Sequence, residues 1–149
     1  MLYLIVKFVH VLLAIVAVGA NATYGIWLSR VEAHPESAET ILRGIKILDD
    51  RLANPAYGLL LVTGLLEAYL GGYSLGTKWI DIALILYVVL VIVAVALYTP
   101  TLKKQIAAVA SGGVNSPEAK KLASRGQVVG ILLGLIAVVI VFLMVVKPT

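Results

Sequence analysis

FVHVLLAIVAVGANATYGIWLS, residues 8–29, contains no formally charged side chain. An apolar run of more than about 18 residues is long enough to cross the hydrocarbon core of a bilayer as a helix. Two further windows have the same character, Ile82–Leu102 and Gly126–Val146. The whole chain agrees with them: it is 61% hydrophobic and 13% charged, with a mean hydropathy of +1.03. A soluble domain is nearer half apolar and one quarter charged.

A fourth window, Leu52–Leu66, is shorter and runs into Glu67. Spans are therefore expected over residues 2–28, 55–70, 79–98 and 128–146 of a single membrane domain, 1–149. The expected fold class is all-α, an integral membrane four-helix bundle. The second span would rise only about 24 Å, short of a core of about 30 Å. Either the bilayer thins there or the preceding helix continues into it. Ala20-Asn21-Ala22 resembles a signal-peptidase site. The apolar residues ahead of Lys7 and those continuing through Tyr24–Leu28 favour a retained span instead.

Basic residues set the expected orientation. Arg30, Arg43, Lys46 and Arg51 follow the first span; Lys103, Lys104, Lys120, Lys121 and Arg125 follow the third. Only Lys7, Lys78 and Lys147 fall on the other side. The positive-inside rule then puts both long loops in the cytoplasm and both termini outside, in a cell (plasma) membrane. The net charge of +4 reads as this loop asymmetry and as lipid contact, not as a nucleic-acid surface.

The first long loop, HPESAETILRGIKILDDRL, begins a helix at Pro35 and repeats Ile41, Ile45, Leu48 and Leu52 at helical spacing. It reads as a cytoplasmic amphipathic helix. Asn54-Pro55 reads as the cap and first residue of the second span. NSPEAKKLASRG has the same grammar, with Asn115 or Ser116 as cap and Pro117 first. Pro100 is expected to kink the third span.

Several chemistries are excluded. With no cysteine, the chain has no disulfide, thiolate cluster or cysteine nucleophile. Two histidines do not make a three-histidine zinc site. No catalytic set and no metal site is assigned, and there is no nucleotide-binding motif.

What remains is polar chemistry inside an apolar helix. Tyr3, Lys7, His10, Ala14, Ala17, Asn21 and Tyr24 follow alternating steps of four and three and share one face. Lipid cannot satisfy their hydrogen bonds, so this face is expected to point into the bundle. Lys7, Glu67 and Asp81 all fall toward the outer half, and together with His10 they make a candidate polar pocket. One reading is packing and topology alone, with Lys7 paired to Glu67 or Asp81. The functional reading makes neutral His10 a cofactor ligand or proton acceptor. His34, beside Pro35, reads as a surface residue. Tyr87 and Tyr98 read as core or interfacial aromatics. Gly126, Gly130 and Gly134 form a small-xxx-small ladder, which closes helix packing inside the bundle or across a homodimer. Gly64 and Ala68 read the same way.

Four patches together are similar to one family. KFVH, ILDDRLANPAYGLLLVTGLL, KWIDIALILYVVL and MVVKP resemble the four-helix integral membrane proteins of domain of unknown function 2269. The resemblance covers nearly the whole chain, implies the fold and brings no activity. K-x-x-H near the start, R-L-x-x-P-A and the V-K-P ending also resemble HemJ-type protoporphyrinogen oxidases and, more loosely, the membrane part of CopD-type copper-resistance proteins. That second resemblance implies haem b binding at His10. The lysine expected in the third span has no counterpart here, and Tyr98 stands nearest to where a histidine is expected. The leading functional expectation is a redox cofactor such as haem b on His10, with a quinone as candidate electron partner. A non-catalytic scaffold or partner subunit, and a small-solute or proton pathway through Lys7, His10 and Glu67, are the alternatives.

Overall fold

In the computed structural model, which describes residues 1–74 and 76–148, all regular structure is helical. Six α-helices are present among the described residues: α1 (Leu2–Ala33), α2 (Ala38–Leu48), α3 (Asn54–Leu70), α4 (Lys78–Val93), α5 (Thr99–Gly112) and α6 (Pro117–Val146). Three continuous helices, Leu2–Ala33, Lys78–Gly112 and Pro117–Val146, are long and apolar enough to cross a membrane. α3 has 17 residues and rises only about 26 Å by itself.

α3 is not a separate helix, however. Leu48, Asp49, Ala53 and Asn54 all keep right-handed helical dihedrals, so the backbone runs helically from α2 into α3. A π-helical turn, Asp49–Ala53, joins them, and an equivalent turn, Ala94–Tyr98, joins α4 to α5. Each is followed within two residues by a proline, Pro55 and Pro100. A proline has no N–H to donate, and its ring collides with the carbonyl four residues back. Here those carbonyls belong to Arg51 and Ala96, which both lie inside the wider π turns. The expected break at Asn54-Pro55 is thus corrected. Asn54 is not a cap; its side-chain amide instead donates to Asp49 Oδ2 (3.4 Å). Pro100 likewise ends a widened turn in a helix that continues to Gly112. Ser116 does cap α6, accepting from Ala119 N–H at 3.2 Å.

The helices pack as two antiparallel pairs, α1 with α3 and α4 with α6. At the end carrying α2 and α5 the pairs meet in one core that includes Leu42, Ile45, Leu102, Ile106 and Val109. α2 turns Ala38, Leu42 and Ile45 inward, whereas Leu48 and Leu52 of the expected apolar stripe are exposed. At the end carrying the termini, Trp79, Ile80, Ala83 and Leu143 form a second, smaller core. Lys147 closes that end. Its ammonium donates to the Tyr73 hydroxyl (3.0 Å) and lies over the Tyr73 and Trp79 rings. Between the two cores the pairs separate, and no Cα of α3 lies within 8 Å of a Cα of α4. Phe8, Ile26, Ile85, Ile92, Ile131 and Leu135 are among many large apolar side chains left exposed on the outer faces, as suits a lipid-facing surface.

Two of the three ladder glycines serve packing within the chain. A Cβ on Gly126 would sit 3.8 Å from both Gln105 Oε1 and Thr101 Cγ2, and one on Gly130 would sit 3.8 Å from Tyr98. Gly134 is exposed and faces open space. Gly126→Leu should therefore overpack this contact and cost about 1–3 kcal/mol. Gly134→Leu should stay within about 0.5 kcal/mol of the parent. Thermal melts of the detergent-purified variants check both. An equal loss in Gly134→Leu would contradict this division of the ladder.

Candidate functional site

The α1 stripe finds its partners on α3. His10 Nδ1 lies 2.9 Å from Thr63 Oγ1, and Asn21 Nδ2 donates to the Tyr57 hydroxyl at 2.6 Å. Ala17 and Tyr24 are buried; His10, Ala14 and Asn21 are half-buried. Gly64 makes room for the imidazole: a Cβ there would meet His10 Cε1 at 3.0 Å. That glycine, read from sequence as a packing residue, is one because of His10.

The Thr63 hydroxyl fixes the histidine tautomer. It lies 2.8 Å from the Leu59 carbonyl and donates back to it, as helical threonines do. A hydroxyl has a single proton. With that proton committed, Thr63 accepts from His10, so Nδ1 carries the N–H. Nε2 then keeps its lone pair, and it has no hydrogen-bond partner among the described residues.

His10 stands on the wall of an open-sided cavity of about 430 Å³ between α1, α3, α4 and α6. Ligand pockets fall in the range of about 300–1,000 Å³. The cavity occupies the gap between the two helix pairs, and aliphatic side chains dominate its lining. The polar groups on the wall are His10, Tyr57 and Tyr87, and one thioether, Met144, also faces it. The Tyr87 hydroxyl donates to the Tyr57 carbonyl at 2.6 Å, a bridge between α4 and α3 where their backbones stand apart.

The other expected pocket residues are distributed differently. Glu67 is half-buried and its charge acts on His10. Lys7 is exposed, with its ammonium 5.8 Å from the centre of the Tyr3 ring. Asp81 is half-buried and accepts the Gly76 N–H at 3.1 Å. Neither Lys7 nor Asp81 forms an ion pair among the described residues. His34 is exposed and sits 3.4 Å from Glu36. No cluster of three metal-binding side chains occurs among the described residues.

One group was not legible in the sequence. Asp49 sits in the first π turn and is only 6% exposed, although it lies off the expected apolar stripe of Ile41, Ile45, Leu48 and Leu52. Burial raises its carboxyl above the ordinary value; Lys46 and the Asn54 amide oppose the shift, while Asp50 adds to it. The only sequence signal was its position one turn before Asn54-Pro55.

A family model described as a predicted integral membrane protein, DUF2269, matches residues 4–148. No curated protein and no solved structure matches the chain.

Two measurements follow from this geometry. Nitrogen-15 NMR of histidine-labelled protein should show His10 protonated at Nδ1. Thr63→Val, which leaves that donor unpaired, should cost about 1–3 kcal/mol and release the ring to the other tautomer; a wild-type His10 protonated at Nε2 would contradict the assignment. For Asp49 the folded state binds its proton more tightly than the unfolded chain does, so the ionised form costs stability at neutral pH. That cost disappears as pH falls through the raised folded value toward the ordinary 3.8. Asp49→Asn should therefore melt higher than wild type at pH 7, and the difference should close in acid.

Proposed function

The chain belongs to the DUF2269 family of predicted integral membrane proteins, and from that premise we propose that it holds a flat, apolar redox cofactor, haem b or a relative, inside the bundle at His10. The observation that carries this reading is the position of the imidazole: Nδ1 lies within hydrogen-bond distance of Thr63 Oγ1, which leaves Nε2 without a partner among the described residues, on the wall of an apolar cavity. Histidines that bind metals commonly donate their other ring nitrogen to a neighbouring acceptor, which sets orientation and basicity. Thr63 plays that part here. The donor set fits the group. His10 would offer a ring nitrogen and Met144, also on the wall, a thioether, the donor types of His/Met haem proteins. Bound there, haem b would supply one-electron chemistry. The chain's own residues would orient the imidazole, exclude water and leave a gap between α3 and α4 through which a membrane-dissolved guest or a quinone could approach.

The proposal includes four crossings. Because α2 runs helically into α3, the short second crossing need not thin the bilayer; the helix simply continues past its edge. In this orientation the α2/α5 end, with nine of the twelve basic residues, faces the cytoplasm of a plasma-membrane protein and both termini lie outside. A scaffold subunit that pairs with a second copy is the alternative. It draws on Gly134, whose exposed face the bundle leaves unused.

The test is a visible spectrum of protein purified in detergent from cells supplied with haem. A Soret band should appear in wild type and vanish in His10→Ala. Well-folded wild-type protein with no such band would overturn the cofactor reading.

A further inference from the structure

The cavity between the helix pairs has a length and a position that the cofactor reading does not use. Its wall runs from Tyr57 to Ala68 along α3 and from Leu90 to Ile80 along α4. At 1.5 Å per residue either stretch is about 15 Å long, roughly half of a hydrocarbon core of about 30 Å, or one leaflet. One end falls where the helices finish, since α3 ends at Leu70, α4 begins at Lys78 and α6 ends at Val146. The cavity thus spans one leaflet from its surface inward. It also opens sideways: Val11 and Ile15 of α1 and Val141 and Val145 of α6 line it and are exposed. An apolar space of this kind stays dry, and wall atoms without a neighbour forfeit dispersion contacts. In a bilayer the nearest filler is a hydrocarbon chain lying along the helices.

The surface end carries a polar counterpart. Lys147 follows the last turn of α6 with left-handed dihedrals (φ 50°), uncommon for a residue with a side chain. Its ammonium donates to the Tyr73 hydroxyl at 3.0 Å and lies 5.0 Å from the Tyr73 ring centre and 5.3 Å from that of Trp79. The two rings meet edge to face. This seat rests on the core of Trp79, Ile80, Ala83 and Leu143; Ala68 and Met144 pack against that core and also line the cavity. The cation therefore stands beside the surface end of the cavity, among the aromatic types that settle at membrane–water boundaries. An ammonium has three donors, and Tyr73 takes one. No carboxylate among the described residues forms an ion pair with it; the Glu67 charge acts on it from farther off.

We propose that this end of the bundle binds one phospholipid, with its phosphate on Lys147 and one acyl chain in the cavity. The phosphate oxygens accept the remaining ammonium donors in charge-assisted hydrogen bonds, and the chain covers the aliphatic walls. This goes beyond the cofactor reading: it names what fills the cavity of the protein when no cofactor is bound.

Native mass spectrometry of the full-length protein, purified without added haem, tests this. The probes are phosphatidylglycerol and a diacylglycerol with the same chains. The wild type should retain one phosphatidylglycerol per chain and hold it at least about tenfold more tightly than the diacylglycerol. Lys147→Gln should erase that preference. Ala137→Phe, which puts a ring into the cavity from α6, should weaken both lipids. Lys78→Gln, an exposed lysine at the same end, should change neither. Equal retention of the two lipids by the wild type, a preference that survives Lys147→Gln or falls as far in Lys78→Gln, or retention untouched by Ala137→Phe would overturn the proposal. Lys147 lies beyond the last helical turn, so its variant reads out even if Ala137→Phe fails to fold. The two readings also fail separately. A missing Soret band leaves the lipid site standing, and lipid held without preference leaves the cofactor standing.

Discussion

Hydrocarbon offers no hydrogen bonds, and that constraint organises the bundle. A polar side chain at depth on α1 is satisfied within the protein: Thr23 donates to its own helix at the Ala20 carbonyl, and two others reach α3. His10 meets Thr63 and Asn21 meets Tyr57. These contacts hold the α1/α3 pair in register, much as an apolar seam would in water. Lys147 does the comparable work for the α4/α6 pair by seating its ammonium against Tyr73 and Trp79. The two pairs are then joined most extensively at the α2/α5 end and by the smaller core at the termini end, which leaves the interior between those cores open.

The hollow follows from the sequence of contacts along the chain. Small residues draw helices together where they meet: Gly64 against His10, and Gly126 and Gly130 against α5 and the second π turn. Between the two cores α3 and α4 stay apart, and the Tyr87 hydroxyl bridges them by donating to the Tyr57 carbonyl. A cavity lined by aliphatic side chains gains nothing from admitting water. An apolar guest with one atom that can use a nitrogen lone pair is better matched to it.

The spans were legible because charge and hydropathy are one-dimensional properties. The inward face of α1 was legible too, since steps of four and three name a helix face. His10 as the central residue came from the same count. Its tautomer did not, because that depends on where the Thr63 proton goes, and Thr63 lies 53 positions away. Lys7 was expected beside His10. Its long stem instead runs toward the helix start and keeps the ammonium exposed over Tyr3, away from His10. Asp49 was missed because the stripe Ile41, Ile45, Leu48 and Leu52 names a different face; the helix turns Ala38, Leu42, Ile45 and then Asp49 inward. Asn54-Pro55 misled in the same place: the pair normally starts a helix, yet here the π turn absorbs the proline.

The central claim is that the Nε2 of His10 looks into a space that a guest from the membrane can occupy. An experimental structure of the protein in nanodiscs formed directly from its native membrane addresses this most directly. The account predicts α3 and α4 held apart, with density between them reaching the imidazole. Helices α3 and α4 packed against each other, or the His10 ring turned out among the acyl chains, would contradict it.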